Sequence, residues 1–168
     1  RFVRKDLVDL HQNGVRIRVI GERNNIDADL LALIEEGEAL TAGNQRLTLV
    51  VAFNYGSRIE ITKAARRLAE KAAQGLLDPA AITPELLGAE LDTCGIPDPD
   101  LLIRTSGEVR LSTFLLWQAA YAELMFIDAC WPDFGRELLE QAIVEYRSRD
   151  RRYGGLPGGS PSLKARRS

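Results

Sequence analysis

Apolar positions along the chain alternate between blocks of helical spacing and short dense runs. Residues 1–13 carry Phe2, Val3, Leu7 and Leu10 at roughly helical intervals and end at Gly14, which predicts a helix with a glycine stop. Val15 to Ile20 reads V-R-I-R-V-I, a strand. Asp27 is placed to cap a helix reaching about Ala42, with Leu30, Leu33, Ile34 and Leu40 inward and Gly43 as terminator. Leu47 to Phe53, L-T-L-V-V-A-F, predicts a strand apolar enough to be buried on both faces.

Asn54-Tyr55-Gly56 reads as a turn, and Ser57 with Glu60 makes the S-x-x-E pattern of a capping box. The helix they open carries Ile61, Ala64, Ala65, Leu68 and Ala72 on one stripe and stops near Gly75. Thr83 and Pro84 start another helix, to about Leu91. The stiff loop Pro97-Asp98-Pro99-Asp100 feeds a short strand, Leu101-Leu102-Ile103. Phe114 to Gln118 reads as a short helical turn, and Ala122 to Ile127 as a last strand. Beyond Trp131-Pro132, Gly135 to about Arg149 is amphipathic, with Leu138, Leu139, Ala142, Ile143 and Tyr146 on one side. Strands alternating with helices predict an α/β fold, a parallel β-sheet with helices on both faces. One domain is expected over residues 1–153. From Gly154 onward glycine, proline, serine and basic residues predict a disordered tail, 154–168. The chain opens inside a helix without an initiator methionine, so the expectation is a fragment whose sheet lacks its N-terminal part.

Composition changes this picture little. The 168 residues suffice for one domain with a core, and 45% hydrophobic with 27% charged content is ordinary for a globular protein. A formal net charge of −2 argues against a nucleic-acid binder. Positive charge is local, at Arg147, Arg149, Arg151 and Arg152. No apolar run approaches the roughly 20 residues of a membrane-spanning helix, and no signal-peptide pattern is visible. Cys94 and Cys130 stand far apart without a C-x-x-C partner, which reads as two reduced structural thiols in a cytoplasmic setting. His11 is the single histidine and falls on the first helix, which argues against a histidine triad or a zinc site.

The candidate chemistry lies in Asp100 to Glu123, DLLIRTSGEVRLSTFLLWQAAYAE. Arg104 follows the apolar strand at its C-terminal end, where open α/β sheets hold ligands. Glu108, Arg110 and Ser112 follow at intervals of two, so in an extended loop they face one way. Two guanidiniums and a hydroxyl suit a phosphate or diphosphate, because guanidinium offers a planar fork of donors. Glu123 could give a hard oxygen to magnesium. The plainer alternative is that Arg104 pairs with Asp98 or Asp100 and Glu123 is a solvated helix residue.

The wording of this stretch, I-R-T-x-G-E-x-R-x-S-x-F-L-L-W-Q-x-x-Y-x-E, resembles the signature of the cis-prenyltransferases, the family of undecaprenyl diphosphate synthase. The resemblance extends through Asn13-Gly14-Val15-Arg16, Leu40-Thr41-Ala42-Gly43-Asn44, Asn54-Tyr55-Gly56, Trp131-Pro132-Asp133-Phe134 and Arg151-Arg152-Tyr153-Gly154-Gly155. It implies a homodimeric α/β enzyme of the cytoplasm, in peripheral contact with the inner face of the membrane. The implied reaction extends an allylic diphosphate, usually farnesyl diphosphate, by cis addition of isopentenyl diphosphate, giving a polyprenyl lipid carrier for cell-wall sugars. By the same resemblance Arg104, Arg110, the backbone of Leu111, and Ser112 hold isopentenyl diphosphate, and Glu123 is a ligand of Mg2+. Glu108 and Asn54 are supporting residues, Arg152 and Gly154 belong to an element reaching the partner subunit's site, and Leu47 stands at the closed end of a hydrophobic tunnel.

Two features depart from the family pattern. Val109 stands where some members carry a histidine near the metal. The aspartate-glycine-asparagine run that supplies the catalytic aspartate is absent, so that residue is expected upstream of Arg1 and the chain alone is expected to be inactive. Two other readings compete. A non-catalytic partner subunit would have no need of a diphosphate clamp. A generic phosphate- or nucleotide-binding module lacks support from any Walker A or G-x-G-x-x-G run.

Overall fold

The computed structural model describes residues 2–149, with side chains from Asp6 onward. The expected tail, together with Arg152 and Gly154, lies outside the described residues. The elements are α1 (Phe2–Gln12), β1 (Val15–Ile20), α2 (Ala28–Thr41), β2 (Leu47–Ala52), α3 (Ser57–Ala73), α4 (Pro84–Ala89), β3 (Leu101–Arg104), β4 (Glu123–Phe126) and α5 (Arg136–Ser148), with single 3-10 turns at Pro79–Ala81 and Trp131–Asp133. Among the described residues the strand pairing is parallel, β1 with β2 and β3 with β4. The residues group into two compact units, one reaching Pro97 and taking in Leu111–Trp117, the other made of Asp98–Arg110 and the chain from Gln118.

In the first unit Val15, Ile17 and Ile20 of β1 are buried, and α1 and α2 pack on that strand. Thr41 of α2 is fully buried, and its hydroxyl accepts the Ile17 N–H at 2.9 Å while donating to the Gly37 carbonyl at 2.8 Å. Glu38 accepts from Val19 N–H at 2.7 Å, Asp92 from Gly21 N–H at 3.1 Å, and Asn44 donates to the Val15 carbonyl at 2.8 Å. Side chains thus satisfy the edge of β1 that faces away from β2, which closes it to further strand pairing.

Several expectations need correction. β2 is not buried on both faces: Leu47, Leu49, Val51 and Phe53 are all exposed, because α1 and α2 cover β1 and leave its neighbour bare. In α2, Leu30 and Leu40 are exposed, and the buried positions are Gly37 and Thr41. A Cβ at Gly37 would come within 3.0 Å of Leu7, so the close approach of α1 selects small residues there. In α5, Leu139 and Ile143 are exposed while Ala142 is buried. Cys94 and Cys130, expected as structural thiols, are both free and exposed. Phe114–Gln118 forms turns and bends instead of a helical turn. Thr113 and Leu115 have φ of 63° and 47°, which a right-handed turn cannot contain.

Ser57 and Glu60 do not make a capping box. The helix starts one residue earlier than the pattern implies, with Gly56 as N-cap and Ser57 already helical. Ser57, Glu60, Ala64 and Leu68 form the buried stripe of α3. On α4 the Thr83 side chain does cap, accepting from Leu86 N–H at 3.2 Å.

Candidate functional site

In the second unit the register pairs Leu101 with Glu123, Leu102 with Leu124, Ile103 with Met125 and Arg104 with Phe126. Leu102 and Met125 are buried, and they lie on opposite faces of the pair. Arg104 shares the face of Leu102 at the C-terminal end of β3. Glu123 shares the face of Met125 at the opposite end, about 10 Å away along the strands at ~3.3 Å per residue. The two charged candidates of this short sheet are therefore not brought together.

Arg104 does meet the loop that follows it. Its Nη1 donates to the Arg110 carbonyl at 2.7 Å. The loop is laid against the chain leaving β4, with Ser106 N–H on the Ala129 carbonyl at 2.8 Å and Gly107 N–H on the Ile127 carbonyl at 3.0 Å. Gly107 has φ of 64°, and a Cβ there would stand 3.2 Å from Asp128 Oδ1, so this turn favours glycine. Arg110 pairs with Glu108, and its side chain is 62% exposed. Glu108 is thus the ion-pair partner of Arg110, whose guanidinium keeps exposed surface.

Glu123 accepts from Arg149 Nη1 at 3.1 Å. The same guanidinium donates to the Leu124 carbonyl at 2.9 Å and to Glu145 at 2.5 Å. Glu145 first, and Glu123 second, hold the Arg149 proton more tightly than usual. Sequence reading took Arg149 as one of a basic cluster. Its i,i+4 spacing from Glu145 was legible, whereas its contact with Glu123 needs the fold. Among the described residues no three His, Cys, Asp or Glu side chains gather into a metal cage. Glu123 is thus a single carboxylate paired with Arg149, whereas magnesium is ordinarily held by one or two carboxylates together with phosphate oxygens.

Leu111 and Ser112 fall in the first unit. There the Leu111 carbonyl accepts Phe114 N–H at 2.9 Å, and Ser112 is exposed with φ of 47°. Ser57, fully buried, donates its N–H to the Thr113 carbonyl at 2.8 Å and accepts Leu116 N–H on its hydroxyl at 2.8 Å. Sequence reading missed this role. The signal available was a serine and a glutamate in line with the buried stripe of α3. Asn54, with φ of 49°, exchanges backbone and side-chain bonds with Glu22 and so ties together the exits of β1 and β2. Leu47 opens β2 and is 59% exposed, first in the bare apolar row.

Comparison with known proteins adds to this geometry. Residues 1–154 match the family model described as "Putative undecaprenyl diphosphate synthase". The chain is 60% identical over 156 residues to isoprenyl transferase 2 of Bradyrhizobium diazoefficiens, covering 93% of this chain and 62% of that protein. It is 56% identical to the isoprenyl transferase of Agrobacterium fabrum, covering 92% of this chain and 63% of that one. The chain thus spans a little over three fifths of the length of these relatives. Among solved structures, lavandulyl diphosphate synthase from Lavandula x intermedia in complex with dimethylallyl diphosphate superposes with a TM-score of 0.87 at 36% identity, over 91% of this chain and 66% of that one. A probable undecaprenyl diphosphate synthase from Campylobacter jejuni gives 0.77 at 32% identity, over 92% of this chain and 70% of that one.

Proposed function

Because the chain belongs to the undecaprenyl diphosphate synthase family of prenyltransferases, we propose that the native protein carrying it is a cis-prenyltransferase. It joins isopentenyl diphosphate to an allylic diphosphate, farnesyl diphosphate in our reading, and so builds a polyprenyl diphosphate for cell-wall lipid carriers. The observation that carries the reading is the Arg104–Glu108–Arg110 loop at the C-terminal end of β3, retained in a chain of this family. A non-catalytic subunit would not need such a clamp.

In this condensation a carbon–carbon bond forms between the two substrates, the allylic carbon–oxygen bond breaks, inorganic diphosphate leaves and one proton is lost. The residues of this chain serve binding. Arg110 offers its open fork to the diphosphate of isopentenyl diphosphate, and Arg104 holds the loop while adding a second positive charge. Ser112 and the Leu111 backbone are further residues that we read as binding isopentenyl diphosphate. Glu123 would hold Mg2+, which stabilises a diphosphate leaving group when bound. In our reading the native protein is a homodimer. We read Leu47 as standing at the closed end of a hydrophobic tunnel. No helix of the described residues is long and apolar enough to cross a membrane. A cytoplasmic enzyme in peripheral contact with the membrane completes the proposal.

The test is incubation of the purified native protein with labelled isopentenyl diphosphate, farnesyl diphosphate and Mg2+. Label in chain-extended, solvent-extractable diphosphates is expected. No incorporation with any allylic primer, from farnesyl down to dimethylallyl diphosphate, would contradict it.

A further inference from the structure

Three residues of the segment after Leu111 sit in the left-handed region, Ser112 at φ 47°, Thr113 at 63° and Leu115 at 47°. None is glycine, and Thr113 is β-branched, so the segment is strained and persists only where its surroundings fix it. What fixes it is within reach of one buried residue. Ser57 opens α3 with its side chain fully buried. Its N–H binds the Thr113 carbonyl at 2.8 Å, and its Oγ accepts the Leu116 N–H at 2.8 Å. Ser57 Oγ and Tyr55 Oη are 2.9 Å apart, and Tyr55 gives its proton to Glu60 Oε2 at 2.6 Å. Ser57 must therefore be the donor to Tyr55, since a phenol has one proton. A directed chain results, from Leu116 N–H through the Ser57 and Tyr55 hydroxyls to the Glu60 carboxylate. The other Glu60 oxygen accepts Asp92 N–H at 2.8 Å. The Phe114 ring also stands edge-on to Tyr55, with centroids 6.0 Å apart.

We propose that Ser57 is a positioning residue for Ser112: with Tyr55 it clips the strained 112–115 backbone into the shape that presents the Ser112 hydroxyl. The inference rests on the reading of Ser112 as a ligand of isopentenyl diphosphate and adds what holds that ligand in place. The Ser57 hydroxyl is not an N-cap of α3, which is capped at Gly56 without any side-chain bond.

Steady-state kinetics of the native protein, with each substrate varied in turn, tests this. S57A removes the acceptor for Leu116 N–H and is expected to raise the KM for isopentenyl diphosphate about fivefold, the scale of one lost hydrogen bond. The allylic KM and kcat are expected to stay within about twofold, a split that general loosening of the fold would not give. Y55F keeps Ser57 and removes only the phenol hydroxyl. It is expected to shift the same constant in the same direction by less, and it carries the test where S57A does not fold. S112A alone is expected to raise that KM, and S57A added to S112A to raise it no further. A raised KM in S112A with S57A and Y55F at wild-type values overturns the inference alone. An S57A effect undiminished in the S112A background also overturns it, because Ser57 would then act elsewhere. An unchanged KM in S112A overturns the diphosphate reading of Ser112, and the inference falls with it.

Discussion

Arg104, Arg110 and Glu123 show how far residue identity carries a site. Their types and the twenty-residue wording around them were legible, since a clamp for diphosphate needs guanidinium forks and magnesium takes hard oxygens. Their arrangement was not. Spacing by two suggested that Glu108, Arg110 and Ser112 face one space; Glu108 and Arg110 do pair, whereas Ser112, with φ of 47°, leaves the extended region. Glu123 reads as a free carboxylate in the sequence but carries a guanidinium in the fold. E123Q is expected to leave the fold intact and to raise the Mg2+ concentration for half-maximal activity several-fold, because an amide is the poorer ligand for a hard cation. A Mg2+ titration is the check, and a curve overlying that of the wild type would remove Glu123 from the metal site.

Among the elements, the strands and helices that could be read were those with strong period and capping chemistry: β1, α3, α4, and α2 from its Asp27 cap, which accepts from Asp29 N–H at 2.9 Å. What failed were statements about which apolar residues face inward. Hydrophobic period marks a stripe, but the neighbour that covers it is set by tertiary packing, so β2 and parts of α2 and α5 stay exposed. The link from α3 to Glu90, the residue that ends α4, lay outside any local pattern. Glu90 meets Lys71, and Arg67 Nε at 2.9 Å, and the Lys71 bond first, then Arg67, holds its carboxyl below the usual carboxylate range. A carboxylate held low in the fold stabilises above its unfolded value, and that contribution is lost as pH falls through the folded value. E90Q is therefore expected to lower stability by about 0.5–1 kcal/mol near neutrality, the scale of partly exposed ion pairs. The melting curves of mutant and wild type should converge in acid below the carboxylate range. A gap that stayed constant with pH would show that the charge is not the cause.

For the molecule as a whole, family membership was legible in the sequence, because one long signature and several short motifs agree. The α/β class followed from the alternation of elements. The pairing of strands did not, since parallel crossovers leave no local trace of which strands neighbour each other. One edge of β1 is closed by Thr41, Glu38 and Asp92, while β2 presents a bare row of apolar side chains. The proposed contact with isopentenyl diphosphate is the arginine loop after β3, and the account stands or falls there. The most direct measurement is the KM for isopentenyl diphosphate of R104A and R110A in the native protein, with the allylic substrate varied in parallel. Each change removes a charge-assisted contact of about 1.5–3 kcal/mol, so the account predicts a rise of roughly ten- to a hundredfold for isopentenyl diphosphate and a far smaller change for the allylic partner. Wild-type values for isopentenyl diphosphate in both variants would contradict it.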